Sequence, residues 1–180
     1  FADTALISWG AEPPGTVHVL PPHEYDLQNQ SVRVRFDWAR HAVVGSTTLT
    51  VAALGKAIDD VPLDAVGMTI RRVTTGGSTP LRFGYDGHIL TVHLARPLPP
   101  HRKTSFPIDS ETVKPAKGAY FIDRNHYVWT QGAAEDNRYW LPTYDHPDDK
   151  TTWSISILTD SGEKALSNGR LVSTRRVKGG

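Results

Sequence analysis

Residues 31–51 read SVRVRFDWARHAVVGSTTLTV, and the alternation in this stretch decides the fold class. Val32, Val34, Phe36 and Trp38 fall on one side of an extended chain, and Arg33, Arg35 and Asp37 on the other, the period-2 signature of a half-buried strand. Ala39 to His41 turn the chain, and the β-branched run VVGSTTLTV (43–51) returns as an antiparallel partner. Downstream of VPLDAV (61–66), MTIRRVTT (68–75) offers another strand, closed by Gly76-Gly77. LRFGY (81–85) and HILTVHL (88–94) flank Asp86-Gly87, a pair suited to a type I′ hairpin turn. Pro97, Pro99 and Pro100 interrupt the pattern before KTSFPIDSETV (103–113), where Pro107 predicts an edge strand or a bulge. TTWSISILTD (151–160) resumes the alternation through Trp153, Ile155 and Ile157, which places Trp153, like Trp38, on a core side. ALSNGRLVSTRRV (165–177) predicts a last hairpin around Asn168-Gly169. Roughly nine or ten strands result, hence an all-β antiparallel sandwich or a pair of saddle-shaped sheets.

The composition supports one such domain. The chain has 180 residues, 38% of them hydrophobic, with 13 Pro and 15 Gly, enough for a core divided among many short elements. Its 20 Lys and Arg against 19 Asp and Glu give a formal charge of +1, which supplies no field to gather nucleic acid. With no cysteine there are no disulfides, thiolate metal sites or cysteine nucleophiles. No stretch approaches the ~20 apolar residues of a membrane span, and FADTALISWGAEPPG at the start lacks the pattern of a signal peptide. The chain reads as soluble; its compartment stays open, with secretion or a periplasmic setting admitted for a full-length protein. Residues 1–23 read as an N-terminal extension, 24–176 as the β domain, and 177–180 as a linker toward a further domain.

Between Lys114 and Lys150 the chain becomes aromatic and carboxylate-rich, with a short helical turn expected across Ala134 to Trp140. A loop of that length in a compact domain usually has a function. His-Glu-x-x-His, which sets two imidazoles one turn apart to grip zinc, is absent, and His88 and His93 are predicted to point to opposite faces of a strand. Glu135, Asp136, Asp145, Asp148 and Asp149 could pair for glycoside cleavage, but Asp145 and Asp148 flank His146-Pro147, where carboxylates more often cap turns. No G-x-S-x-G setting supports a serine nucleophile. Trp129, Tyr139, Trp140 and Tyr144 could instead form a stacking platform, which leaves open a stand-alone binding module for a glycan or protein.

The loop continues as YVWTQGAAEDNRYWLPTYDHPDDKTTWSISI, followed by ALSNGRLVS, and in this order it resembles the amino-terminal domain of aminopeptidase N-like (gluzincin) zinc metallopeptidases. Thr130-Gln131, Arg138, Pro142, Asp145, Pro147, Lys150, Trp153 and Ser167-Asn168-Gly169 stand where that family's landmarks stand. YDLQNQSVRVRFDW, VPLDAVGMTI and FGYDGHILTVHL also look like its strands, so the similarity covers about residues 24 to 174.

The resemblance implies a division of labour. Zinc, the general base and the oxyanion-stabilising tyrosine belong to a separate catalytic domain of the same polypeptide, so no cofactor is expected in this chain and it is expected to be inactive alone. The β domain contributes a loop that contacts the α-amino group of a peptide substrate, and Gln131 matches a substrate-binding Gln. Ala133 stands at the family's amine-binding Glu or Gln position and cannot accept a hydrogen bond through its side chain. Three readings follow: Glu135 reaches in, the catalytic domain's own carboxylate anchors the amine alone, or peptidase function is altered. The second is preferred. Arg138, Asp145 and Lys150 are expected to fix the loop, and Tyr139-Trp140 to wedge its base into the core or a partner domain.

Overall fold

The computed structural model describes residues 23–177. Nearly all of the N-terminal extension, His18 and most of the terminal linker lie outside the described residues. In chain order the strands are β1 (Tyr25–Asp37), β2 (Ala42–Ala53), β3 (Ile58–Asp64), β4 (Thr69–Val73), β5 (Phe83–Tyr85), β6 (Ile89–Leu98), β7 (Lys103–Val113), β8 (Ala119–Ile122), β9 (Tyr127–Thr130) and β10 (Thr152–Leu158). They form a five-stranded sheet ordered β10-β1-β2-β7-β4, a three-stranded sheet β3-β6-β5, and the hairpin β8-β9. The all-β reading holds.

The strand read first positions the rest. A register shift between Leu27 and Asn29 accommodates one extra residue in β1. The apolar set therefore passes from the odd positions Tyr25 and Leu27 to the even positions Val32 and Val34 without leaving its face. The first half of that face meets Leu49, Val51, Phe106 and Ile108 of its own sheet and Val61, Leu63, Leu90 and Val92 of the three-stranded sheet. Val32, Val34 and Val43 pack instead with Ala119, Trp140 and Leu141, so the β8-β9 hairpin and the segment after β9 cover the second half. Each fully buried Leu or Ile here stabilises the fold by about 1.5–3 kcal/mol.

Several expectations need correction. Pro107 lies in the interior strand β7, paired with Thr48 of β2. Its carbonyl accepts from Thr74 N–H at 3.1 Å on the β4 side. A residue's N–H and C=O point the same way in an antiparallel ladder, so the missing donor faces the end of β4 and leaves the β2 pairing intact. Strand β10 is an edge strand running parallel to β1, and Trp153 is 44% exposed rather than part of the core. Trp38 lies past the end of β1, half-buried, with its ring stacked on His126 at 4.0 Å. The hairpin at Asp86-Gly87 forms, but Gly87 is its one residue with positive φ (95°), and Asp86 Oδ1 accepts from His88 N–H at 2.8 Å and Ile89 N–H at 2.7 Å. A side-chain cap thus replaces the type I′ geometry, which needs positive φ twice. Asn168-Gly169 bends as expected, yet residues 165–177 form no strand; Leu166 is 93% and Val172 84% exposed. A two-stranded hairpin with no sheet to bury its apolar side chains is marginal in water.

Glu111 of β7 is buried, and its carboxylate receives the guanidinium groups of Arg40, from the β1-β2 turn, and Arg71 of β4. Arg71, then Arg40, hold this carboxyl below the usual glutamate range against the opposing effect of burial. Stability from a depressed carboxylate is present above its unfolded pKa and is lost as pH falls through the folded one. Glu111→Gln is therefore expected to lower the melting temperature at neutral pH, with the difference from wild type closing on acidification. Melting curves across that range check it, and a constant difference would show that the ion pairs contribute nothing.

Candidate functional site

The carboxylate-rich segment is a built structure anchored at both ends. It begins with β8-β9, a hairpin where the sequence predicts only loop. Ala119 pairs with Thr130 and Phe121 with Val128, and on this face Ala119 is buried and Phe121 packs against the second core cluster. Alternation sends Tyr120, Ile122, Tyr127 and Trp129 to the opposite face, where Trp129 is 45% exposed and stacks on Tyr120 at 4.7 Å. Gln131 extends the ladder, its N–H donating to Gly118 O at 2.9 Å, and its side chain is exposed. The expected helical turn is a single 3-10 turn over Asn137–Tyr139.

Past that turn the segment is sewn to β3. Asp64 and Thr143 exchange backbone hydrogen bonds, Asp64 N–H to Thr143 O at 2.7 Å and Thr143 N–H to Asp64 O at 3.0 Å. The Asp64 side chain accepts Asp145 N–H at 2.9 Å and pairs with Arg138 at 3.2 Å. Asp145 in turn accepts Asn137 Nδ2 at 3.0 Å and Arg138 N–H at 2.9 Å, with Arg138 Nε at 3.4 Å. Arg138 also reaches Glu135 at 2.9 Å, and the other oxygen of Glu135 meets His146 Nδ1 at 3.0 Å. One guanidinium therefore ties three carboxylates from two segments, one through each nitrogen, a spread of donors in a fixed plane that suits Arg better than Lys. Burial raises the Asp145 carboxyl above its ordinary range, against the lowering effect of those hydrogen bonds and of Arg138. Thr143 Oγ1 donates to the buried Gln30 Oε1 at 2.8 Å, and Asp149 accepts Leu27 N–H at 2.9 Å, fixing the far end to β1.

Arg138 and Asp145 thus meet as a loop-fixing pair. Lys150 does not join them: it is exposed, with no carboxylate within ion-pair distance among the described residues. Trp140 is buried in the second core cluster, as the wedge reading expects, while Tyr139 stays half-buried with Lys117 Nζ 5.6 Å above its ring. Tyr144 stacks on His23 at 4.1 Å, and its hydroxyl is pushed up to about 12 by burial and then by the charge of Asp148. The four aromatics singled out from the sequence therefore do not share one platform. Asp64 escaped the sequence reading; its signal was a carboxylate inside the apolar strand VPLDAV, where an unpaired charge would be costly.

Zinc does not fit the arrangement of the described residues. His41 pairs with Asp123, His93 with Asp60, His126 with Glu163 and His146 with Glu135, each pair separate from the others. Among the described residues no three His, Asp or Glu side chains are grouped to hold a metal. No helix of the described residues is long and apolar enough to cross a membrane.

Residues 21–180 match the family model of the Peptidase M1 N-terminal domain. Leukotriene A-4 hydrolase from Xenopus laevis is 22% identical over 148 residues, which is 76% of this chain and 24% of that protein. The fold is similar to that of an M1 zinc metallopeptidase from Deinococcus radiodurans bound to a Tyr-Ser-Ala substrate, with TM-score 0.64, 19% identity, and coverage of 74% of this chain and 32% of that one. It is also similar to yeast LTA4 hydrolase in complex with bestatin, with TM-score 0.66, 19% identity, and coverage of 74% and 23%. The chain therefore spans about a quarter to a third of the length of these proteins.

Proposed function

The chain belongs to the Peptidase M1 N-terminal domain family, and from that premise we propose that it is the noncatalytic β domain of a zinc aminopeptidase, lending a substrate-amine contact and an interdomain surface to a catalytic domain of the same polypeptide. The observation that carries the reading is Gln131, exposed at the end of β9 while the segment beyond it is fixed by Arg138, Asp64 and Asp145. A peptide ammonium brings three donors and a positive charge, and an amide oxygen on a rigid support can accept one of them. Holding that end at a fixed distance from a metal sets the register of an exopeptidase. Zinc would be held by the catalytic domain and would act there as the Lewis acid.

The geometry also weighs the readings of Ala133. Both Glu135 oxygens are engaged, one by Arg138 and one by His146, so Glu135 acts in the support. This favours an acidic anchor from the catalytic domain beside Gln131. In the protein carrying that domain, Gln131→Ala is expected to raise KM for free-amine peptides by about tenfold, the loss of one charge-assisted hydrogen bond, with a smaller change in kcat. Steady-state kinetics check it, and an unchanged KM would remove Gln131 from the site.

A further inference from the structure

Trp129 and Gln131 are two residues apart on an extended ladder, so their side chains leave the same face about 7 Å from each other. Tyr120 sits opposite Trp129 in the register and stacks on it with 22° between the rings. Tyr127, 48% exposed, continues the same face on the far side of Trp129. An outward shelf of aromatic rings thus borders the one residue assigned to the substrate's amine, while Ala119 and Phe121 on the other face of the hairpin pack with the second core cluster.

We propose that the Tyr120-Trp129 shelf receives the side chain of the peptide's first residue and biases the enzyme toward large apolar or aromatic N-termini; the inference rests on the reading of Gln131 above. The first side chain and the ammonium leave the same carbon. A peptide whose amine lies at Gln131 therefore has its first side chain within reach of the neighbouring ground on that face. The indole and phenol offer flat apolar area that aliphatic and aromatic groups cover favourably and a methyl group barely touches. Their stacking also settles the shelf before the ligand arrives, which reduces the ordering cost of binding.

The test uses the full-length peptidase and three substrates with one leaving group: phenylalanyl, leucyl and alanyl amides. Trp129→Ala is expected to lower kcat/KM for the phenylalanyl and leucyl substrates by about tenfold while the alanyl value stays within about twofold. Trp129→Phe should recover most of the preference, since a flat ring is restored, and Tyr120→Ala, which leaves β9 unaltered, should lose part of it. A preference unchanged in all three variants overturns the proposal, and unchanged preference with a lowered melting temperature would assign the face to the contact between domains. If Gln131→Ala raises KM while the preference stays fixed, the shelf fails and the amine contact stands. If neither moves, the reading of the site itself fails.

Discussion

Arg138→Met is expected to destabilise the chain by about 3–5 kcal/mol, because it leaves Asp64 and Asp145 carboxylates charged in a site built around a guanidinium. Their side chains are 10% and 4% exposed, so water cannot take over the role of the lost cation. Methionine keeps most of the apolar stem, which isolates the effect of charge from that of packing. The pH dependence gives the result its signature. Burial already raises the Asp145 carboxyl, and losing Arg138 removes an attraction that opposes the rise. A carboxyl raised in the folded state binds its proton more tightly there than in the unfolded chain. Its penalty is therefore full above the raised pKa and is relieved as pH falls through it. Urea midpoints of the wild type and Arg138→Met should differ most at neutral pH and converge on acidification. A gap independent of pH would mean that packing, and not unpaired charge, sets the loss. Adding Asp64→Asn to Arg138→Met should recover part of the stability, a coupling that a double-mutant cycle reads directly.

The features legible in the sequence were those with contrast between two faces. In β1, arginines alternate with valines, and both the strand and its buried side follow from that pattern. The β8-β9 hairpin lacks such contrast. Ala119 and Phe121 face the core while Tyr120 and Ile122 face outward, so both sides are apolar and the period disappears in composition. Strand β10 fails in the opposite way: Trp153 and Ile155 alternate with serines, but they lie on the part of the sheet face that reaches past the covering layer. Alternation reports which side is apolar and carries no information on whether another layer extends that far. The site was legible in part, through the resemblance: Arg138 and Asp145, seven residues apart, stand at landmarks of the resembled family and are expected from it to fix the loop, whereas Asp64 comes from β3, 81 residues before Asp145, and only the folded topology brings it to the pair.

Gly118→Ala should destabilise by about 2–4 kcal/mol, combining a positive-φ penalty with a collision that neither partner can avoid cheaply. Gly118 enters β8 with φ at 77°, and a Cβ there would lie 2.0 Å from Asp136 O and 2.8 Å from Trp140 Cδ1. The first is backbone and the second belongs to a ring buried in the core, so relief requires moving residues 136–140 as a body. Gly67→Ala is the control, since Gly67 also has positive φ, at 65°, but a Cβ there meets nothing within 4 Å. It should cost only the conformational part, about 1 kcal/mol. The difference between the two variants thus measures the close approach alone, and equal costs would mean that the hairpin and the loop base are not in contact as described. The same contact joins stability to the site. Gly118 O accepts the Gln131 N–H, so a shift that relieves the collision also displaces the residue proposed to meet the substrate. On the proposed function, Gly118→Ala should therefore raise KM in the protein carrying the catalytic domain without touching the ligand, whereas Gly67→Ala should leave it unchanged.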